Sequence, residues 1–295
     1  MKKISIFVLA VLLLAPMSIN ATENDETEET IEALSNDVTG TWEAIGPQEG
    51  KIYAVVIDPS NPSIIYAGGN GGVFKSTDGG EHWTASNSGM TNTTVYVLTI
   101  DPKNTSIIYA GTPEKGVFKS TNGGGNWSAI NTGLANTHVT ALAIDPSNTS
   151  IVYAGTNGGV LKSTNGGGSW SWLIVGSSGE NTNALVIDPS DTSIIYIGVG
   201  HLGAVKSTDE GVWSWIVSGL TNANVIALAI DPSNTSIIYA GTDDGVSKSI
   251  NGGDSWNTSG LINTTVTAPA VDPSKASIIY AATRGGVFES TDGGA

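Results

Sequence analysis

The sequence predicts an all-β fold built from copies of one four-stranded unit, and three periodic observations carry that expectation. An Asp-Pro pair recurs at Asp58, Asp101, Asp145, Asp188, Asp231 and Asp272, at spacings of 43, 44, 43, 43 and 41 residues. Eight residues beyond each Asp stands a tyrosine: Tyr66, Tyr109, Tyr153, Tyr196, Tyr239 and Tyr280. The stretch Ser76-Thr-Asp-Gly-Gly-Glu-His-Trp83 returns at 120–127, 163–170 and 249–256, in a shortened copy at 207–213, and in part at 290–295. A period near 40–50 residues with four short strand signals per unit points to blades set around an axis. The expected architecture is a single six-bladed β-propeller of four-stranded antiparallel blades, with a truncated seven-bladed or longer array as the alternative.

Each unit divides in the same order. A run of small and apolar residues such as Val139-Thr-Ala-Leu-Ala-Ile144 leads to Asp-Pro, where the missing proline N–H ends the strand and Asp-Pro-Ser-Asn supplies turn chemistry. The second strand carries β-branched and aromatic residues, as in Ser150-Ile-Val-Tyr-Ala-Gly155. The third, Gly159-Val-Leu-Lys162 in its unit, runs into the repeated Ser-x-Asp/Asn turn. There a carboxylate or amide hydrogen-bonds nearby backbone N–H groups and the glycines accept positive φ. The Trp then opens the fourth strand and buries a large ring. All the repeated Trp and Tyr residues are expected in the packing between blades. The i,i+2 pairs Trp170/Trp172 and Trp213/Trp215 should therefore face one side, and Trp83→Ala should cost about 3–5 kcal/mol.

The ends divide into three parts. Lys2 and Lys3 precede an apolar run over 4–16, and Ala21 stands at a plausible cleavage site, so residues 1–21 read as an export signal peptide, with an uncleaved N-terminal anchor as the alternative. Residues 22–39 hold seven acids and no base, a composition that cannot bury enough apolar surface to order itself, and read as an acidic disordered linker. Residues 40–295 are the propeller. Trp42-Glu-Ala-Ile45 parallels Trp127-Ser-Ala-Ile130, so residues 40–47 are expected to supply the outer strand of the last blade and close the ring.

The pattern Ser-x-Asp-x-Gly-x-x-Trp resembles the Asp-box of BNR-repeat propellers, a group that includes sialidases, xyloglucan-degrading glycosidases, sortilin-type receptors and photosystem II assembly factors. The resemblance covers residues 40–295. It matches Ser76, Asp78, Gly80 and Trp83; Ser120, Asn122, Gly124 and Trp127; Ser163, Asn165, Gly167 and Trp170; Ser207, Asp209, Gly211 and Trp213; Ser249, Asn251, Gly253 and Trp256; and Ser290, Asp292 and Gly294. Asn replaces Asp at 122, 165 and 251 and keeps the acceptor oxygen. The resemblance implies a peripheral, structural role for these residues, away from any ligand.

Composition excludes several functions. Twelve basic residues stand against 27 acidic ones, a net charge of −15, which argues against nucleic acid and against anionic lipid as partners. Cysteine is absent, so no disulfide, thiolate metal site or cysteine nucleophile is available. Arg284 is the sole arginine, too few for the cluster with which a sialidase holds its substrate's carboxylate. His82, His138 and His201 lie in different repeats without metal-ligand spacing, and no glycine run ends in a phosphate-loop Lys-Ser, so neither metal nor cofactor is expected.

Ligands are expected on the face where the first strand of each blade begins and the second and third strands join. The candidates there are Lys51, Tyr53, Tyr96, His138, Asn183, His201 and Arg284, and Tyr53 and Tyr96 stand out because other units place Thr140, Asn183 or Thr267 at their position. A glycosidase needs two carboxyls about 5–9.5 Å apart, for which Glu114, Glu180, Asp243 and Asp244 are the candidates. Short, near-equal loops argue against a catalytic cleft. The expected function is that of an exported, non-catalytic binding or scaffold propeller that recognises a protein segment or glycan. A xyloglucanase-like glycoside hydrolase is the alternative, and a piece of a larger multi-repeat surface protein a third reading.

Overall fold

The computed structural model describes residues 45–47, 50–90, 93–175, 181–208, 213–215, 219–220 and 223–294. It is a six-bladed β-propeller of antiparallel sheets, with one short 3-10 turn among the described residues, at Gly200–Leu202. Blade one is β1 (Ile52–Ile57), β2 (Ile65–Gly69), β3 (Gly72–Ser76) and β4 (Thr84–Ala85). Blade two is β5 (Val97–Ile100), β6 (Ile108–Gly111), β7 (Val117–Ser120) and β8 (Ser128–Ala129). Blade three is β9 (Val139–Ile144), β10 (Val152–Thr156), β11 (Gly159–Ser163) and β12 (Ser171–Val175). Blade four is β13 (Thr182–Ile187), β14 (Ile195–Val199), β15 (Gly203–Ser207) and β16 (Trp213–Trp215). Blade five is β17 (Val225–Ile230), β18 (Ile238–Thr242), β19 (Gly245–Ser249) and β20 (Asn257–Ile262). Blade six holds β21 (Val266–Val271), β22 (Ile279–Thr283) and β23 (Gly286–Ser290), three strands among the described residues. The first strand of each blade packs on the first strand of the next, from β1 on β5 through to β17 on β21, so these strands line the axis.

The Asp-Pro corner folds as its chemistry dictates. The buried Asp58 carboxylate accepts the Ser60 N–H at 2.8 Å, the Ser60 hydroxyl at 2.7 Å and the Asn61 N–H at 3.2 Å. Burial pushes this carboxyl up, but those hydrogen bonds outweigh it and leave Asp58 below its ordinary pKa. The turn before Trp127 is equally regular: Ser120 Oγ accepts Gly124 N–H at 2.9 Å, and Asn122 Oδ1 accepts Asn126 N–H at 2.8 Å.

The core lies between blades. Tyr66 and Val73 of blade one pack with Leu98, Ile108, Phe118 and Trp127 of blade two, and an equivalent cluster joins blades two and three. Four of the boundaries also carry a polar latch among the described residues. The Tyr66 hydroxyl and the Lys75 ammonium both donate to the Gly123 carbonyl, at 3.0 and 2.8 Å. Tyr109 and Lys119 do the same to Gly166, Tyr196 and Lys206 to Gly252, and Tyr239 and Lys248 to Gly293. Each of these ammonium groups also sits over its tyrosine ring, 5.1–5.6 Å from the centroid.

Two expectations need correction. Trp127, Trp170 and Trp256 are buried, but Trp83 is only half-buried. Trp172 is 40 % exposed, since its ring leaves the file of Trp170 and lies over Gly158 in the turn between β10 and β11. Trp172 itself pairs regularly with Leu161; the register of β11 and β12 shifts only beyond it, at Leu173. The side chains of Trp213 and Trp215 lie outside the described residues.

The expected closing strand falls largely on residues 40–44, also outside the described residues. Ile45 lies against blade one, where the Trp83 indole donates to its carbonyl and its side chain fills the space beside Gly80. Ile130 stands in the same way beside Gly167 and accepts the Trp170 indole N–H at 2.7 Å.

Candidate functional site

The first strand of every blade contains one residue that regular pairing does not accommodate. In β1 the register with β2 shifts between Ile52 and Ala54, which leaves Tyr53 as a bulge. The same shift isolates Thr140 in β9, Asn183 in β13, Ile226 in β17 and Thr267 in β21. Tyr96 occupies this position just before β5, and its N–H bonds the Gly111 carbonyl at 2.9 Å. All six residues stand five places before the Asp of the Asp-Pro corner. A bulge re-aims the side chain it carries, so the fold presents one chosen residue per blade on the strands around the axis.

These residues divide the rim into two arcs. On blades one to three, the Tyr53 and Tyr96 rings meet edge to face with centroids 5.1 Å apart, and Tyr96 meets the His138 ring at 6.0 Å. Such contacts stabilise aromatic pairs by about 0.5–1.5 kcal/mol beyond area burial. His138 Nδ1 lies 3.0 Å from the Pro113 carbonyl, an acceptor only, so Nδ1 carries hydrogen and the ring orientation is fixed. Burial, then Tyr53, then Glu114 push the Tyr96 phenol above its ordinary pKa, so it remains a neutral donor at physiological pH.

The bulge residues of blades three to six are polar or aliphatic. Thr140 Oγ1 donates to the Thr182 carbonyl at 2.6 Å, and Asn183 Nδ2 donates to the Val225 carbonyl at 3.0 Å. Each accepting residue immediately precedes the next blade's bulge. Ile226 and Thr267 are buried, and Thr267 Oγ1 donates to Ala282 within its own blade.

Of the expected ligand-binding residues, Tyr53, Tyr96 and His138 come together and Asn183 joins the rim across the axis. Lys51 is exposed just before β1, where its carbonyl accepts the Asn70 N–H at 3.0 Å. His201 is exposed in the 3-10 turn of blade four and Arg284 is exposed in the β22–β23 turn, both on outer loops. Among the carboxylates, Glu114 is exposed beside Tyr96 on blade two. Asp243 and Asp244 are exposed on blade five, where the Asp243 carboxylate accepts the Asn224 N–H at 3.0 Å. Glu180 lies outside the described residues. Asp78, Glu81 and His82 cluster on the outer turn of blade one, all exposed, with the Asp78 carboxylate already accepting the His82 N–H at 3.0 Å and the Ser76 hydroxyl at 2.8 Å.

Sequence reasoning singled out Tyr53 and Tyr96 by type but missed the bulge that sets them on the rim, and it missed the part played by Thr140. The signal was present: the position five before each Asp varies while its neighbours repeat.

No protein-family model and no curated protein sequence matches the chain. Solved structures share its fold. The GH74 enzyme of Niastella koreensis is similar with a TM-score of 0.68 and 24% identity, over 83% of this chain and 45% of that one. The GH74 xyloglucanase of Xanthomonas campestris gives 0.67 and 18%, over 82% and 45%. An extracellular domain described as that of a one-component system of B. thetaiotaomicron gives 0.54 and 17%, over 83% and 39%. This chain therefore spans less than half the length of each, and the likeness establishes a shared β-propeller fold.

Proposed function

We propose that this chain is an exported, non-catalytic binding propeller of the BNR/Asp-box type that recognises a neutral glycan segment on the Tyr53–Tyr96–His138 arc. The observation that carries the reading is that arc itself: three rings from three successive blades, in mutual contact, set opposite amide and hydroxyl groups. Binding sites pair apolar walls with a few convergent polar groups. Tyrosine supplies both, an apolar ring face for the C–H surface of a pyranose and a phenol for its hydroxyls. The likeness to GH74 enzymes and to an extracellular domain supports a carbohydrate setting and export. Among the described residues no helix is long and apolar enough to cross a membrane.

A second reading, a glycoside hydrolase of xyloglucanase type, draws on Glu114, which stands close enough to Tyr96 to raise its pKa. Non-catalytic binding is preferred because Glu114 rises from blade two, whereas Asp243 rises from blade five with its carboxylate engaged by Asn224. A neutral oligosaccharide array with a parallel reducing-end assay tests both readings. Binding lost in Tyr96→Ala, with no sugar released, supports the proposal. Turnover abolished by Glu114→Gln would replace it with the hydrolase.

A further inference from the structure

We infer that Asn70 is a site of spontaneous deamidation, where the chain converts its own asparagine to aspartate and isoaspartate on the face that carries the aromatic arc. In this reaction the backbone nitrogen of the next residue attacks the side-chain carbonyl carbon. Glycine favours it, because no side chain shields that nitrogen and the backbone is free to turn. The chain holds five such pairs: Asn70-Gly71, Asn122-Gly123, Asn157-Gly158, Asn165-Gly166 and Asn251-Gly252. All five asparagines are exposed, so access to water does not separate them. Hydrogen bonding does.

Three of the pairs lie in the turns before Trp, where both reacting groups are engaged. Asn122 Oδ1 accepts the Ser120 hydroxyl at 2.9 Å and the Asn126 N–H at 2.8 Å, while the Gly123 N–H donates to the Ser106 carbonyl at 2.9 Å. Asn165 and Asn251 repeat all three bonds, with Gly166 donating to Ser150 at 2.7 Å and Gly252 to Ser236 at 2.8 Å. Attack in these turns requires the three bonds to break together. Asn157 is held less firmly: its Oδ1 accepts the Asn136 amide, and the Gly158 N–H donates to Thr156 Oγ1 at 3.1 Å. At Asn70, neither the side chain nor the Gly71 N–H has a hydrogen-bond partner among the described residues. The pair is the exposed tip of the β2–β3 hairpin, where the side chain can swing over its own peptide group.

The step balances without any co-reactant but water. The Gly71 nitrogen bonds to Asn70 Cγ and gives up its proton, and the side-chain nitrogen leaves as ammonia. One water then opens the cyclic imide at either carbonyl, giving aspartate or isoaspartate, and both products add a negative charge. Blade five already carries an aspartate at this tip, Asp243, which accepts the Asn224 N–H at 3.0 Å. The Asn70 N–H donates to the Lys51 carbonyl at 3.0 Å, so the new charge arises beside Lys51. Asn70 also follows Gly69, the partner of Ile52 at the register shift that isolates Tyr53. Isoaspartate lengthens the main chain there and so alters the hairpin that aims Tyr53. The modification itself does not depend on the glycan reading.

The test incubates the full chain at mildly alkaline pH in heavy-oxygen water, folded and in parallel unfolded in urea. Samples are digested with pepsin in acid, which halts the reaction. Peptides are then mapped by mass spectrometry with electron-transfer fragmentation, which separates isoaspartate from aspartate. In the folded chain Asn70 is expected to convert at least tenfold faster than Asn122, Asn165 and Asn251, with Asn157 between them, and to take up one heavy oxygen. In urea the five pairs are expected to convert at similar rates. Equal rates in the folded chain, earlier conversion of Asn122, Asn165 or Asn251, or an Asn70 that stays intact while the unfolded chain reacts overturns the inference. A ranking that persists in urea also overturns it, since the fold would then not be its source. No variant is needed, so the result does not hang on a substitution that disturbs folding.

Discussion

The Tyr109 hydroxyl meets the Gly166 carbonyl at 3.1 Å across the boundary between blades two and three, and the Lys119 ammonium takes the same oxygen at 2.8 Å. Either donor alone satisfies the carbonyl. Tyr109→Phe or Lys119→Met should therefore cost about 0.5–1.5 kcal/mol each, whereas the double variant leaves an unpaired acceptor and costs more than the sum. Thermal melts of the four proteins check this, and strict additivity would show that the two donors act separately.

The latch tyrosines also set the alkaline limit. Burial, then a nearby Asp-Pro carboxylate, pushes Tyr66, Tyr109, Tyr196 and Tyr239 up to about 12, from an unfolded value of 10.0. Between these values the unfolded chain loses protons that the folded chain keeps, so stability is fully present below pH 10 and is lost as pH rises through 12. Melting temperature should fall steeply over that window, in step with tyrosinate absorbance. A flat melting temperature across it would contradict the burial of these phenols.

Gly89 and Gly79 separate strain from contact. Both have positive φ, +84° and +77°, but an added Cβ at Gly89 would stand 2.1 Å from the Trp127 carbonyl oxygen, and one at Gly79 would meet nothing within 4 Å. Gly79→Ala should cost about 1–2 kcal/mol, the left-handed penalty alone. Gly89→Ala should cost clearly more, because backbone must move. Chemical denaturation of the two variants measures the difference.

Burial revises the tryptophan expectation. Trp127 is 2 % exposed within the core shared by blades one and two, so Trp127→Ala should cost about 3–5 kcal/mol. Trp83 is half-buried, and its indole donates to Gly80 at 3.0 Å. Trp83→Ala should cost distinctly less, a ranking that paired melts would check.

The strand order, the Asp-Pro corners and the Ser-x-Asp/Asn turns were legible in the sequence because each rests on local chemistry repeated at fixed offset: Asp58 caps Ser60, and Ser120 caps Gly124. The buried Tyr and Trp followed from the same periodicity. What was not legible depends on register. The shift beside Ala54 that releases Tyr53, and the one beside Ala184 that releases Asn183, are properties of paired strands and leave no mark on either strand alone.

The central claim is that the rings of Tyr53 and Tyr96 form a glycan-binding wall. Isothermal titration of the chain, of Tyr53→Ala/Tyr96→Ala and of Trp172→Ala with one neutral oligosaccharide identified on the array tests it directly. The account predicts that the double variant loses at least tenfold in affinity while keeping its fold, and that Trp172→Ala binds as the parent does. Undiminished affinity in the double variant, or loss only in Trp172→Ala, would contradict it.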